Sequence, residues 1–230
     1  AWQKELMLDG RAKSLEAQAL LPLHSKDEMD ANIPDLLKRL NANPGYKKMF
    51  SAAFGPSKIT IDQLTKALSQ FQLSLVSSNS KYDKVMRGEV SFILPEKLGF
   101  EIFEKKCVSC HTPPLFTNYS YQNTALTRDP ILKDNGRAGF TGLSTDSLKF
   151  KVPSLRNLTL TFPYMHDGRY YTISQAIDHY RNGIVTTQPT LDSALKNRIA
   201  ISNAEKNNLM SFLFTLTDTT LAKTARYAEK

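Results

Sequence analysis

The sequence predicts an all-α chain with long loops, and three observations carry that class. Capping boxes at Thr60/Gln63, Thr172/Gln175 and Ser202/Glu205 each mark a helix start, where two side chains three positions apart satisfy otherwise free amides. Behind these starts, apolar residues recur at three- and four-residue steps, as one face of a helix requires. The stretch from Thr112 to Arg156, by contrast, is rich in Pro, Gly, Asn, Asp and Thr and weakly periodic, so it reads as one long loop. A loop of that length inside a compact domain is usually functional or wrapped around something.

Taken in order, Asp9-Gly10-Arg11-Ala12 is a turn signal, a short helix is expected near 14–20, and Leu21 to Asp30 reads as a loop after Pro22. Pro34 suits the first turn of a helix carrying Leu36, Leu37 and Leu40 on one side. Pro44 opens another, with Tyr46, Met49, Phe50 and Phe54 expected inward and Gly55 as its stop. After Thr60, Leu64, Leu68, Phe71 and Leu75 form a stripe expected to be buried. Ser77 to Ser80 ends that helix, and a boundary or linker is expected between there and Pro95. The helix from Pro95 turns Leu98, Ile102 and Phe103 inward and delivers Cys107. The helix after Thr172 runs to about Arg181, and the last one turns Leu209, Phe212, Leu213 and Leu216 inward. The expected division is 1–80, 81–221 and a basic tail over 222–230.

At 230 residues the chain is long enough for one large or two small domains with real cores. Its 41% hydrophobic and 23% charged content is that of an ordinary soluble protein, and no run approaches the length of a membrane span. It opens on Ala1-Trp2-Gln3-Lys4-Glu5, neither an initiator Met nor a leader, which reads as a processed product or a fragment. A net charge of +8 suits an acidic partner or a membrane surface, but the cations are scattered, with Lys47-Lys48 and Lys105-Lys106 only pairs. No nucleic-acid module is present, and a solvated surface accounts for the charge.

The chemistry concentrates at Cys107-Val108-Ser109-Cys110-His111, the c-type haem attachment pattern. Each thiol can form a thioether with a haem vinyl group, and His111 then sits beneath the ring to ligate the iron. These are the only two cysteines. The competing readings are a local disulfide, a thioredoxin-like redox pair and a zinc half-site. No βαβ pattern surrounds the motif, and no further ligands follow at zinc-finger spacing. Covalent haem implies an exported protein, periplasmic in a Gram-negative source.

The opposite face of the iron takes Met, His, Tyr or nothing. After Thr172, Ile173, Ala176 and Ile177 define an inward face, and Tyr180 follows at three- and four-residue spacing, so it points with them. Periodicity alone favours a core tyrosine bonded to backbone. His179 is turned about 100° away. Met165 is the competing ligand, Met210 adjoins the last apolar stripe, and His166, in a Pro- and Gly-punctuated loop, suits a supporting role beside the haem. His24 is expected to face solvent.

Asp9-Gly10-Arg11-Ala12 with Glu16-Ala17-Gln18-Ala19, the Cys107–His111 motif, Val152-Pro153-Ser154-Leu155-Arg156-Asn157 and Pro163-Tyr164-Met165-His166-Asp167-Gly168 stand here in order. Together they resemble the bacterial di-haem cytochrome c peroxidase family, which includes MauG-like enzymes, from about residue 7 to 218. The resemblance implies a cytochrome c-like haem domain packed on a partial second helical haem domain. The Cys107 motif matches the family's C-terminal, electron-relay haem, and the motif of the N-terminal peroxidatic haem would lie upstream of Ala1. The intact relative carries two covalent haems c, this chain one.

The resemblance further implies hydrogen peroxide as substrate, a small donor such as a cytochrome c or cupredoxin, and a homodimer. It places the peroxidatic polar groups on Gln18 and Glu28. Heterolysis of the O–O bond needs a proton moved from the inner to the outer oxygen, a task for Glu28 while Gln18 orients the peroxide. Arg156 and His166 join the haem surroundings. The distal position, Met in many of the peroxidases and Tyr in MauG-like members, falls on Tyr180. An interdomain calcium would use the carbonyls of Thr161 and Pro163. Leu8 departs from the family's usual tryptophan between the haems, and leucine cannot be oxidised. Peroxide reduction is therefore the expected activity, with a MauG-like oxidase or a mono-haem electron-transfer module as alternatives.

Overall fold

Short polar caps start most of the long helices in the computed structural model, which describes residues 2–224 and 227. The chain divides at Val76–Ser77 into two compact units. In the first, α1 (Leu15–His24) is capped by Ser14, α2 (Ile33–Ala42) by Asn32 and α3 (Pro44–Phe54) by Asn43, whose side chain accepts from the Gly45 and Tyr46 amides. The expected Thr60/Gln63 box starts α4 (Ile61–Ser74). Helix α1 runs through Pro22 to His24, further than the sequence suggests. Proline removes only the one amide that would bond Gln18, and the Ser25 amide still reaches the Leu21 carbonyl at 3.0 Å.

Helix α1 packs on α4, and α2 on α3. The covered face of α4 is lined by Thr65 and Ser69, opposite Ala19 and Leu23 of α1, because small residues let two helices approach. The stripe expected to be buried therefore lies outward: Leu68, Phe71 and Leu75 are exposed, as are Tyr46, Met49 and Phe54 on α3. Asn41 ties α2 to the next segment, since its amide donates to the Ile59 carbonyl (3.0 Å) and its carbonyl accepts the Ile59 amide (2.9 Å).

The second unit begins with α5 (Lys81–Met86), started by a Ser80/Asp83 box inside the stretch the sequence reads as linker. Ser77 and Asn79 already belong to this unit, because both bond Asp218, so the division falls four residues before the expected one. Helix α6 (Leu94–Lys106) crosses α9 (Asn203–Phe214) with backbones touching. A Cβ on Gly99 would sit 1.9 Å from the Asn208 carbonyl oxygen, so only glycine fits. Between them Phe103, Phe116, Phe212 and Leu216 are fully buried, joined by Tyr82, Leu209, Leu213, Ile173 and Ile177. The rings meet edge-on or tilted, Tyr82 and Phe116 at 4.8 Å and Phe103 and Phe212 at 5.1 Å between centroids.

The stretch 112–156 is not wholly irregular. Strands β1 (Tyr121–Gln122) and β2 (Phe150–Lys151) pair antiparallel, with α7 (Ala138–Thr141) between them. Two-residue strands are too short to register as a period. The remaining helices are α8 (Ile173–Asp178) and α10 (Thr219–Ala222). Of the expected basic tail, 225, 226 and 228–230 lie outside the described residues. The helix-rich architecture is the all-α one expected.

Candidate haem-binding site

Helix α6 ends on the motif. The Cys107 amide donates to the Phe103 carbonyl (2.8 Å), and the Cys110 and His111 amides both turn back to the Cys107 carbonyl (3.2 and 2.9 Å). One tight turn thus presents both sulfurs and the imidazole from the end of a rigid helix. Neither cysteine is in a disulfide. Burial, then the neighbouring Cys110, pushes the Cys107 thiol up to about 12, and burial raises Cys110 as well. Both are therefore neutral thiols in the surrounding protein. They fit sulfurs destined for thioethers.

His111 donates from Nδ1 to the Phe116 carbonyl at 3.1 Å. Burial lowers its pKa, outweighing the Phe116 and Pro153 carbonyls that favour the charged ring. The ring is therefore a neutral imidazole whose lone pair sits on Nε2, the form that ligates iron. The Phe116 carbonyl is itself held, because the segment 152–157 zips along 114–120. Val152 bonds Ser120 (2.8 Å), Thr117 Oγ1 donates to the Val152 carbonyl (2.6 Å) and Ser154 Oγ to the Leu115 carbonyl (2.6 Å).

Arg156 closes that zipper. Its Nε donates to the Pro114 carbonyl (2.7 Å), and its two terminal nitrogens grip Asp83 at 3.0 and 2.6 Å, a pair about 10% exposed on each side. The guanidinium is committed to protein groups, and it bears on the motif through the loop it holds.

Beyond α8 the helix widens into a π turn, His179–Gly183. Tyr180 packs there beside Ala125, Ile184, Leu191 and Leu195. Burial raises its pKa strongly, and the Cys107 and Cys110 thiols lie close enough to raise it further. No described residue hydrogen-bonds its hydroxyl. A half-buried phenol close to the Cys107 and Cys110 sulfurs, its hydroxyl bonded to no described residue, is free to serve as an iron ligand.

His179 departs from expectation. It is 3% exposed rather than turned away from the core, with Nε2 on the Thr124 carbonyl at 2.8 Å and Nδ1 facing the Tyr170 hydroxyl at 3.5 Å. The loop around Thr124 covers the helix flank that periodicity assigned to solvent. With both nitrogens engaged, His179 is not a free ligand.

His166 lies flat on Phe150, ring centroids 3.8 Å apart, with burial depressing its pKa. Asp167 beside it is gripped by Arg169, which also donates to the Thr127 carbonyl at 2.7 Å. Met165 is half-buried in the same loop with left-handed backbone. Thr161 and Pro163 are exposed, and Thr161 Oγ1 donates to the Leu158 carbonyl at 3.3 Å. Among the described residues no group of three or more His, Cys, Asp or Glu side chains is arranged to hold a metal ion. Gln18 and Glu28 belong to the first unit. Gln18 is half-buried on α1 with Nε2 3.8 Å from Met7 Sδ, and Glu28 is exposed in the turn after it. Sequence reasoning missed Asp83, Phe150, Tyr170 and Thr124, since contacts between residues distant in the chain leave no local signal.

A family model described as di-haem cytochrome c peroxidase matches residues 1–91. The methylamine utilization protein MauG of Methylophilus methylotrophus is 34% identical over 94% of this chain and 65% of its own length. That of Paracoccus denitrificans is 30% identical over 91% of this chain and 67% of its own. The chain belongs to the di-haem cytochrome c peroxidase family. The cytochrome c551 peroxidase of Nitrosomonas europaea is 35% identical over 91% of this chain and 60% of its own length. A MauG-like protein associated with microbial copper homeostasis superposes with a TM-score of 0.87 at 30% identity, covering 99% of this chain and 75% of that one. The chain thus spans about 60–65% of the length of the first curated relatives it matches. Membership in the di-haem peroxidase family implies haem cofactors, and the residues at 107–111 fit one. Among the described residues no helix is long and apolar enough to cross a membrane.

Proposed function

We propose that the protein reduces hydrogen peroxide to water in the periplasm, with electrons from a small redox protein such as a cytochrome c or cupredoxin. In this reading the chain carries the electron-relay haem, bound through Cys107, Cys110 and His111, together with part of the peroxidatic wall. The supporting observation is the neutral His111, its Nδ1–H fixed by Phe116, at the end of a motif with two unpaired thiols. Haem c held there supplies one-electron storage. The Phe116 carbonyl orients the imidazole and raises its basicity as a ligand. His166 and Phe150 form a flat stacked wall in the same unit, and Arg156 keeps the loop behind His111 in register.

At the peroxidatic side, Gln18 orients peroxide through its carboxamide. Glu28 takes the proton from the inner peroxide oxygen and returns it to the outer one, so that water leaves rather than hydroxide. Two electrons from the donor and two protons complete the reduction of one peroxide to two waters. Calcium held by the Thr161 and Pro163 carbonyls and assembly as a homodimer belong to the same proposal.

Tyr180 favours a second reading, in which the protein oxidises a protein or small substrate as the MauG-like relatives suggest. A phenolate ligand gives a haem of lower potential than Met would, which is harder to reduce. Leu8, exposed and not oxidisable, counts against it.

The test is Glu28→Gln in the intact protein carrying both haems. Loss of a general acid–base group is expected to lower peroxide turnover about 100-fold while the spectrum of the Cys107 haem stays unchanged. Turnover at the wild-type rate would remove Glu28 from the mechanism.

A further inference from the structure

We propose that His179 and Gly183 are positioning residues that lock Tyr180 toward the haem bound at Cys107, a role that rests on the reading of Tyr180 as the iron's second protein ligand. The locking works through the π turn. Its wider winding removes the Tyr180 carbonyl from the ordinary helical ladder, and the Ile199 amide takes it at 3.0 Å. One side of the turn is therefore tied to the 195–201 segment. The other side is tied by His179, whose Nε2–H reaches the Thr124 carbonyl (2.8 Å) while the Tyr170 hydroxyl faces Nδ1 (3.5 Å).

Both anchors are themselves rigid. Asn123, 2% exposed, donates to Gln188 (2.9 Å) and Thr190 (2.8 Å), which holds the strand of chain that presents Thr124. Tyr170 is paired with Tyr164 through backbone bonds, so the loop carrying Met165 and His166 joins the same assembly.

Gly183 makes the arrangement sterically possible. A Cβ there would stand 2.7 Å from His179 Nδ1 and 3.4 Å from its Cγ. The imidazole lies against the bare backbone of the last residue of the turn, and any side chain at 183 would push it off Thr124. His179 and Tyr180 are consecutive, so rotating one about the helix axis rotates the other. Two contacts that never touch the iron therefore set the direction of the phenol. A histidine that looks like a ligand by chemistry serves here as the pin for the ligand beside it.

The experiment uses the haem-loaded protein and low-temperature EPR with absorption spectra, scored against Tyr180→Phe. The reference feature is whatever that variant abolishes. Gly183→Ala and His179→Ala are each expected to lose at least half of that feature, and Tyr170→Phe a smaller share. The double variant is expected to lose no more than His179→Ala alone, because the added methyl then meets no ring. Thermal unfolding is followed in parallel. A lowered midpoint with the feature intact in Gly183→Ala and Tyr170→Phe would overturn the proposal, leaving His179 a structural residue only. If His179→Ala fails to fold, those two variants decide the outcome. An unchanged spectrum in Tyr180→Phe would instead overturn the ligand assignment itself.

Discussion

The two units use the same local devices and reach different degrees of burial. Both start helices with capping boxes, at Thr60/Gln63 in one and at Ser80/Asp83, Thr172/Gln175 and Ser202/Glu205 in the other. Both carry apolar stripes at helical spacing. In the second unit the stripes of α6 and α9 close on each other and on Phe116, with Phe103, Phe116 and Phe212 fully buried. In the first, α2 and α3 bury no residue, and Phe71 on α4 remains 51% exposed. Caps and periodicity are local properties that decide where a helix begins and which residues share a face. Whether that face is covered depends on what the rest of the fold places against it.

The largest expected effect sharpens this contrast. Phe212→Ala removes a ring in contact with Tyr82, Phe92, Phe100, Phe103 and Phe116, and should cost roughly 3–5 kcal/mol. Phe71→Ala, the same chemistry on an exposed site, should cost under about 1 kcal/mol. Denaturant midpoints of the two variants measure both. Equal losses would mean that Phe71 is covered in solution and that the contrast between the units is not real.

The same distinction explains what was legible in the sequence. The Cys107–His111 turn is legible because its residues are sequence neighbours, and its amides fold back on the Cys107 carbonyl at that spacing. The inward packing of Tyr180 is legible because it follows Ile177 by three, although the π turn carries it onto a second cluster, Ala125, Ile184, Leu191 and Leu195, rather than onto the main core. The burial of His179 is not legible, since the Thr124 loop that covers it lies 55 residues away. Helix α5 was hidden because Ser80 and Asp83 form a box with only six residues behind it, too few for a period. The outward stripe of α4 went wrong for the opposite reason: its period is clear, but the packing face is set one position away, by Thr65 and Ser69 against α1.

A buried ion pair in the second unit and an exposed one in the first provide the next comparison. Burial alone would raise the Asp83 carboxyl, but hydrogen bonds from Arg156 and Ser80 hold it below the usual range. Arg156→Met leaves that carboxylate buried with only Ser80 to bond it, at a cost of about 3 kcal/mol. Lys66→Met breaks the exposed Asp62–Lys66 pair on α4 and should leave the melting midpoint almost unchanged. Thermal melts with and without salt check this: salt should move the Lys66 contribution and leave that of Arg156. A cost below about 1 kcal/mol for Arg156→Met would show that water reaches Asp83.

Asp218 carries the smallest of the large effects and gives a pH signature. It is 2% exposed and staples the segment after α9 to the start of the second unit. Burial would raise its pKa, but Thr220 Oγ1 and the Thr220 amide on Oδ1, with the Asn79 amide and Ser77 Oγ on Oδ2, hold it at about 2 against 3.8 unperturbed. A depressed folded-state pKa means stability that is fully present above 3.8 and drains away as pH falls towards about 2. At neutral pH the carboxylate contributes up to about 2 kcal/mol, and Asp218→Asn should lose most of it. The variant should also flatten the acid limb of the stability curve between those two values. Asp9 in the first unit is depressed in the same direction, against its own burial, by Arg11. Half of the Arg11 side chain is exposed, so Asp9→Asn should lose less. An acid limb unchanged in Asp218→Asn but flattened in Asp9→Asn would reverse the ranking of the two units and place the acid-sensitive staple in the first.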